Sequence, residues 1–335
     1  MKVPHLAGSV MTTLPGIADI HAAAARLSGL IVETPLIESQ ELNKRFGARI
    51  LFKPETLQRT GSFKFRGAYN KLSSLSEAER SRGVVAFSSG NHAQGVAASA
   101  AMFGVKAVIA MPADAPAMKV GNVRKMGAEV VPFDRFRDDR MVVVRPYIEK
   151  GMVLVPPFDD PAIIAGQGTI GLELMRQARA LGVGLDAVIV PCGGGGLSSG
   201  ISVAVKDASP DTAVWAVEPE HFDDTRRSLA AGARVSNEPG HDSICDALLT
   251  AEPGVITFEI NRRNLAGAIA VSDQAAAQAM RDAMAYLKLV VEPGGCVGLA
   301  ALSSGEIELS GKNVAVVLSG GNVDFGTYAG IMAAA

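Results

Sequence analysis

The sequence predicts an α/β fold built on parallel β-sheets, and three observations support this. Short runs rich in β-branched residues alternate with longer segments at helical spacing, which is typical of strands joined by crossover helices. The strand-like runs are apolar along their length, as expected for strands covered on both faces. Apolar residues make up 48% of the 335 positions, enough for the cores of two domains.

The order of the elements indicates where a ligand would bind. Strands are predicted at 50–52, 84–87, 107–111, 130–132, 153–155, 187–191, 214–217 and 314–318. Helices are predicted at 65–74, 92–103, 168–180, 197–206 and 275–289. Several strands run directly into small or polar residues that open a helix. In doubly wound sheets, ligands gather at such carboxyl ends.

No linker divides the chain, so a second domain has to be an insertion. We expect two doubly wound parallel-sheet domains, a large one from 1–82 and 158–335 and a small mobile one from 83–157 inserted in it.

Charge and cysteine usage exclude several classes of partner. With 32 basic and 34 acidic side chains, the chain lacks the basic excess that nucleic acids or anionic membranes attract. Its longest weakly polar stretch, 96–105, is too short to span a bilayer, and residues 1–16 do not resemble a signal peptide. The three cysteines are scattered and form no disulfide framework, so we expect a cytoplasmic protein.

A first motif, Thr-Gly-Ser-Phe-Lys-Phe-Arg-Gly, occupies 60–67. Ser62 is predicted to cap a helix, which places Lys64 in its first turn. The positive end of a helix favours a neutral amine there, and such an amine can form an imine with a carbonyl compound. A surface lysine beside a cap remains the alternative.

Three further loops follow predicted strands. Ser88-Ser89-Gly90-Asn91-His92 forms a nest of amide donors suited to a carboxylate, with His92 in a contact or packing role. Four consecutive glycines at 193–196 let backbone amides close around a phosphate, without the spacing of a P-loop or a dinucleotide fingerprint. Ser319-Gly320-Gly321-Asn322 adds another polar strand end. Each loop alone could be a plain turn.

Together these motifs resemble the fold type II (β-family) pyridoxal phosphate enzymes, most nearly the threonine/serine dehydratases and serine racemases. The resemblance runs from about 34 to 325 and rests on segments 55–67, 88–92 and 165–169. It implies a tryptophan synthase β-like fold, pyridoxal 5'-phosphate as cofactor, a small amino acid as substrate and a homodimer.

The resemblance also implies roles for single residues. Lys64 would bond the aldehyde carbon of the cofactor, with Phe63 beside the ring and Asn91 at the ring hydroxyl. Ser319 would hydrogen-bond the pyridine nitrogen, and this neutral partner favours β-elimination over transamination. The phosphate would be held by Gly193, Gly194, Gly195, Gly196 and Leu197.

On the substrate side, Ser89 matches the position of a second acid/base on the ring face opposite the lysine. The substrate carboxylate would be bound by Ser88, Gly90, Asn91 and His92. A divalent cation (Mg, Mn or Ca) would be bound by Glu218, the Phe222 carbonyl and Asp224, unless this acidic run is only a helix start.

The activity we expect is dehydration of a β-hydroxy amino acid such as L-threonine or L-serine to a 2-oxo acid and ammonia. The alternatives are a threo-3-hydroxyaspartate dehydratase, a serine racemase and a cofactor-binding protein without turnover. Hydroxyaspartate needs a cation for its second carboxylate, and Arg140 is the candidate within a cluster that also contains Arg135 and Arg137. Segments 243–247 and 292–296 depart from the family pattern and leave the substrate open.

Overall fold

The computed structural model describes residues 13–88, 90–134 and 137–334. The strands, in chain order, are β1 (Ile37–Glu38), β2 (Arg49–Pro54), β3 (Val84–Phe87), β4 (Ala107–Pro112), β5 (Glu129–Phe133), β6 (Val153–Leu154), β7 (Ala187–Pro191), β8 (Ala213–Pro219), β9 (Gly267–Val271) and β10 (Asn313–Leu318). The α-helices are α1 (Ile17–Leu27), α2 (Gln40–Phe46), α3 (Lys64–Ser74), α4 (Glu77–Arg82), α5 (Asn91–Phe103), α6 (Ala117–Lys125), α7 (Arg140–Glu149), α8 (Pro161–Ala180), α9 (Gly196–Ala208), α10 (Asp224–Ala231), α11 (Val255–Asn264), α12 (Asp273–Asp282), α13 (Pro293–Ala301) and α14 (Phe325–Ala333).

The strands form two sheets. A six-stranded sheet has the order β1-β2-β10-β7-β8-β9, and a four-stranded sheet has the order β5-β4-β3-β6. Every pairing is parallel except that of β1 with β2. The α/β prediction with parallel sheets is therefore confirmed, and each predicted strand overlaps an observed one.

Burial explains why these sequences form strands. In β10, the five residues after Asn313 are fully buried, with Val316 beside Phe52 on one side and Ile189 on the other. A strand buried on both faces has to be apolar throughout, and this pattern allowed β10 to be predicted from the sequence. The sequence did not reveal β9, because its Gly-Ala-Ile-Ala-Val run carries few β-branched residues.

Helix α8 begins earlier than predicted. The prediction started at 168 and so left out residues 161–167. The helix starts at Pro161 because Asp160 accepts hydrogen bonds from the backbone N–H groups of Ala162 (2.8 Å) and Ile163 (3.1 Å).

The four-stranded sheet lies wholly within the segment predicted as an inserted domain, but the boundaries at 82/83 and 157/158 stay a prediction. Among the residues the structure describes, no helix is both long and apolar enough to cross a membrane.

Candidate active site

One cavity of about 580 Å³ opens where β3, β7 and β10 end. It brings together nearly all the residues singled out for cofactor and substrate. The predicted residues that line it are Phe63, Lys64, Ser88, Gly90, Asn91, His92, Arg140, Gly193, Gly194, Gly195, Gly196, Leu197 and Ser319. Ser89 and Arg135 lie outside the described residues.

The amine of Lys64 lies in this cavity and donates a hydrogen bond to the carbonyl oxygen of Pro157 (2.8 Å). Burial lowers the pKa of Lys64 to about 8, although the carboxylate of Glu292 acts in the opposite direction. A larger share of this amine is therefore neutral near pH 8 than on a surface lysine. Burial therefore favours the neutral amine that the chemistry expected of Lys64 requires.

The predicted cap of the Lys64 helix is wrong. Helix α3 begins at Lys64 itself, and Phe63 occupies the N-cap position without a capping side chain. The Oγ of Ser62 has no hydrogen-bond partner in the described chain, and Ser62 forms an antiparallel bridge with Gly320. This long-range pairing overrides the local capping preference.

A buried charge cluster supports α3 from behind. The guanidinium of Arg66 donates to both oxygens of Glu55 (2.8 Å each) and to Glu173 (2.5 and 2.9 Å). Lys53 adds a bond to Glu173 (2.7 Å). The side chains of Arg66, Glu55 and Lys53 are completely buried, so each charge depends on these partners.

The glycine loop has the form of an anion cradle. Gly195 adopts φ +91°, a left-handed conformation that favours glycine, directly before α9 begins. The backbone N–H groups of 193–197 bond to no acceptor within the described ranges. Unpaired amides at a helix N-terminus fit a phosphate group.

The loop is braced from outside by α11. Thr257 Oγ1 donates to the carbonyl oxygen of Gly194 (2.7 Å). Asp159 caps α11 by accepting from the N–H groups of Val255 (2.9 Å), Ile256 (2.8 Å) and Thr257 (3.2 Å). Sequence reasoning missed Asp159, because it lies 96 positions before Val255 and a capping signal is read only from residues next to a helix start.

The start of α5 faces the cavity. His92 is buried, and its Nε2 lies 2.9 Å from the carbonyl oxygen of Val155. Burial, reinforced by the charge of Lys64, lowers the pKa of His92 to about 3. The imidazole is therefore neutral at physiological pH, which fits a contact or packing role.

The sequence predictions did not name the cavity residues Lys119, Asp246 and Glu292 as site residues. Lys119 donates to Asp246 (2.7 Å), and Glu292 accepts from the Nδ2 of Asn91 (2.6 Å). Burial, reinforced by the charge of Asp246, raises the pKa of Glu292 to about 7. Asp246 and Glu292 lie in the two segments that depart from the family pattern, whereas nothing marked Lys119.

The residues predicted to hold a cation lie outside the cavity lining. Both oxygens of Glu218 accept from backbone N–H groups at the start of α10, those of Thr225 and Arg226 (2.9 Å each).

Asp224 Oδ2 is buried and has no hydrogen-bond partner in the described chain, and burial raises the pKa of Asp224 to about 7. The backbone of Phe222 lies in a turn closed by its bond to Pro219 (3.1 Å). Within the described ranges, no group of three His, Cys, Asp or Glu side chains could hold a metal ion.

The residues present fit pyridoxal phosphate. The cavity combines a buried, partly neutral amine, an open amide cradle and a polar residue at the end of β10. These groups could hold an aldehyde, a phosphate and a ring nitrogen in one site.

Comparison with known proteins supports this fit. The family described as "Pyridoxal-phosphate dependent enzyme" matches residues 27–320. The chain is 44% identical to an L-threo-3-hydroxyaspartate ammonia-lyase of Pseudomonas sp, over 94% of this chain and 97% of that protein. It is 39% identical to a serine racemase of Schizosaccharomyces pombe, over 94% of this chain and 97% of that protein. The crystal structure of a threonine deaminase from T.th. superposes with a TM-score of 0.87 at 45% identity, over 93% of this chain and 99% of that one.

Proposed function

The chain belongs to the pyridoxal-phosphate dependent enzyme family, and from that premise we propose that it is an ammonia-lyase acting on a β-hydroxy amino acid. The observation that carries this proposal is the meeting of the Lys64 amine and the open amide cradle of 193–197 in one cavity. Overall, the substrate would yield a 2-oxo acid and ammonia.

Each end of the cofactor has a proposed partner. Lys64 would bond its aldehyde carbon, and the backbone amides from Gly193 to Leu197 would bind its phosphate. Phe63 would lie beside the ring, while Ser319 and Asn91 would bond the ring nitrogen and ring hydroxyl. When bound, the cofactor withdraws electrons from the substrate Cα and so makes its proton acidic.

The protein's own residues would then move the proton and hold the substrate. The amino group of the substrate would first displace Lys64 from the aldehyde carbon, and the freed amine, whose pKa burial lowers to about 8, would take the Cα proton as general base. The amides and side chains of Ser88, Gly90, Asn91 and His92 would bind the α-carboxylate at the start of α5. Lys64 would return that proton to the Cβ hydroxyl, which would leave as water, and hydrolysis of the unsaturated product would give the 2-oxo acid and ammonia.

The substrate proposal starts from L-threonine and L-serine, but a specific observation favours threo-3-hydroxyaspartate. The guanidinium of Arg140 lines the cavity and stacks on the Phe87 ring, 4.8 Å from its centroid. A fork-shaped cation there suits the second carboxylate of hydroxyaspartate. Two relatives named for that activity share 44% and 43% identity with this chain, and we therefore reverse the order predicted from the sequence.

A serine racemase is the second candidate. It would need an acid/base on the ring face opposite Lys64, and Ser89 is the residue we propose for it. The named racemase of Schizosaccharomyces pombe is 39% identical to this chain. Chirality of the unreacted substrate separates this activity from elimination.

We also propose that a divalent cation (Mg, Mn or Ca) binds Glu218, Asp224 and the Phe222 carbonyl as a structural ion. The buried, unpartnered Asp224 Oδ2 supports it, because a buried carboxylate calls for a counter-charge. Added Mg²⁺ should raise the melting temperature of the parent and not that of Asp224→Asn.

The assembly and location remain proposals as well. We propose a homodimer, supported by large apolar side chains left exposed at Met284, Tyr286, Val290 and Phe325. Sedimentation equilibrium would detect it, and a monomer at micromolar concentration would exclude it. The three free cysteines are all buried, which agrees with a cytoplasmic location.

A substrate panel tests the proposed function. Purified chain loaded with pyridoxal phosphate is incubated with threo-3-hydroxyaspartate, L-threonine and L-serine, while ammonia, 2-oxo acid and substrate chirality are measured. Stoichiometric ammonia and 2-oxo acid are expected. Racemisation without ammonia would favour the second candidate, and no reaction would contradict both.

A further inference from the structure

The last of the three strand-end loops contributes a residue with no role so far, Asn322. Its Nδ2 donates to two oxygens, the backbone carbonyl of Thr60 (2.7 Å) and Oδ1 of Asn91 (2.8 Å). The first bond ties Asn322 to the loop that leads to Lys64. The second reaches a residue proposed to touch the cofactor.

Asn91 is bonded on both ends of its amide. While Oδ1 accepts from Asn322, Nδ2 donates to Oε1 of Glu292 (2.6 Å). A side-chain amide has one oxygen acceptor and two N–H donors, so one N–H of Asn91 remains for the cavity that Asn91 lines.

These two partners permit only one orientation of the amide. If the Asn91 amide flipped, its oxygen would face the Glu292 carboxylate and its NH₂ group would face the NH₂ group of Asn322. The contact with Asn322 would be repulsive and its hydrogen bond lost at any pH, and the contact with the ionised Glu292 carboxylate would be repulsive as well. The hydrogen bonds therefore run in one direction, in which Asn322 donates to Asn91 and Asn91 donates to Glu292.

Backbone contacts keep the three side chains together. Glu292 N donates to the Gly320 carbonyl (3.0 Å), and Gly321 N donates to the Gly61 carbonyl (2.9 Å). A Cβ at Gly320 would lie 3.1 Å from the Cβ of Ser62 and closer still to the Glu292 carboxylate. Glycine at this position permits the close approach.

We propose that Asn322 and Glu292 are positioning residues that hold the Asn91 amide with an N–H directed at the ring hydroxyl of pyridoxal phosphate. This inference rests on the proposed contact between Asn91 and that hydroxyl. A correctly directed donor stabilises the hydroxyl oxygen, whereas a flipped amide offers it no N–H.

The test compares two probes in parent and variants. Dissociation constants are measured by fluorescence titration for pyridoxal 5'-phosphate and for its 3-deoxy analogue, which lacks the ring hydroxyl. The parent should prefer the natural cofactor by about tenfold, or about 1.4 kcal/mol. In Asn322→Asp, an acceptor replaces the donor, so neither orientation of the Asn91 amide satisfies both partners and the preference should fall towards one.

A charge-conserving swap separates orientation from simple repulsion of the anionic cofactor. Asn322→Asp combined with Glu292→Gln keeps the net charge of the parent, yet it satisfies the flipped amide, since the glutamine introduced at position 292 can donate to Oδ1 of Asn91. The preference should stay near one in this double variant. Recovery to the value of the parent would show that charge alone was responsible, and it would overturn the proposal.

Asn43→Ala is the matched control. Asn43 also holds two short bonds, to Glu38 (2.6 Å) and from Ile50 N (2.8 Å), but it does not line the cavity. It should keep the preference of the parent. Asn322→Ala, which loses the donors without adding charge, should also lower the preference and serves if Asn322→Asp does not fold.

The outcomes distinguish a failure of the proposed function from a failure of this inference. A parent that does not bind pyridoxal phosphate would contradict the proposed function. A parent that binds it without preference over the 3-deoxy analogue would contradict the role of Asn91 and this inference with it. Variants at Asn322 that keep the preference of the parent within about twofold would overturn the positioning role alone.

Discussion

Lys64 and Pro157, which are 93 positions apart in the chain, are joined by a hydrogen bond of 2.8 Å from the amine to the backbone carbonyl oxygen. Three residues further along, Asp160 accepts an ion-pair bond from Lys71 of α3 (2.6 Å). The segment from Pro157 to Asp160 thus contacts both ends of the helix that carries the amine. These contacts, made by residues far from Lys64 in the sequence, position its amine.

The lowered pKa of Lys64 predicts how cofactor capture depends on pH. Only the neutral amine attacks an aldehyde, and this lysine becomes neutral as pH rises through about 8. The rate of capture by cofactor-free protein should rise about tenfold per pH unit below this midpoint and then level off. Absorbance after rapid mixing measures it.

A pair of variants checks the cause of that midpoint. The charge of Glu292 raises the pKa of Lys64, so Glu292→Gln should move the midpoint to lower pH. Glu129→Gln removes a surface carboxylate, whose side chain is 48% exposed, and should leave it in place. A parent midpoint near that of a free lysine, about 10.4, would show that burial does not act on this amine.

The charge cluster behind α3 predicts a large loss of stability. Arg66→Ala would leave Glu55 and Glu173 without their main partner in a dry interior, at a cost of about 3–5 kcal/mol of unfolding free energy. The exposed pair of Lys106 with Glu129 (3.2 Å) supplies the control, because Lys106→Ala should cost less than about 1 kcal/mol. Urea unfolding measures both, and equal losses would refute a special role for the buried cluster.

The cap of α11 predicts a specific loss of phosphate affinity. Asp159→Ala should weaken binding of pyridoxal phosphate several-fold and lower stability by about 1–2 kcal/mol, because α11 braces the glycine loop through Thr257. Asp324 caps α14 by accepting from Thr327 N (2.9 Å), outside the cavity lining. If Asp324→Ala weakened cofactor binding equally, the bracing role would be wrong.

The position of Arg140 in the cavity predicts which substrate is preferred. Loss of a paired guanidinium should lower kcat/KM for threo-3-hydroxyaspartate by about 30-fold in Arg140→Ala, while the value for L-threonine changes by less than about threefold. Arg137→Ala is the control, since its side chain is 86% exposed and pairs only loosely with Asp134 (3.6 Å). Parallel losses for both substrates in Arg140→Ala would point to a structural role.

The sequence predicted the elements that are locally specified. Strands such as β10 are apolar throughout because both faces are buried, and polar loops follow the strands because the cavity opens there. The cap at Ser62 was predicted wrongly, since the pairing of Ser62 with Gly320 depends on chain distant in sequence. The pattern of neighbouring residues carries no information about such a pairing.

The site was predictable to a similar extent. Residues within motifs, such as Lys64 and Asn91, line the cavity as a group. Lys119 lies in an unremarkable helix and reaches the cavity because α6 packs beside α5. Asn322 belonged to a recognised motif, but its role depends on the orientation of Asn91, which only the assembled contacts define.

The central claim is that Lys64 holds the cofactor, and one measurement tests it directly. The loaded protein is reduced with sodium borohydride, digested and analysed by mass spectrometry to locate the attached pyridoxyl phosphate. We predict the label on the peptide that contains Lys64, its retention in Lys119→Met and its absence from Lys64→Ala. A label on any other lysine, or an unchanged label in Lys64→Ala, would contradict the account.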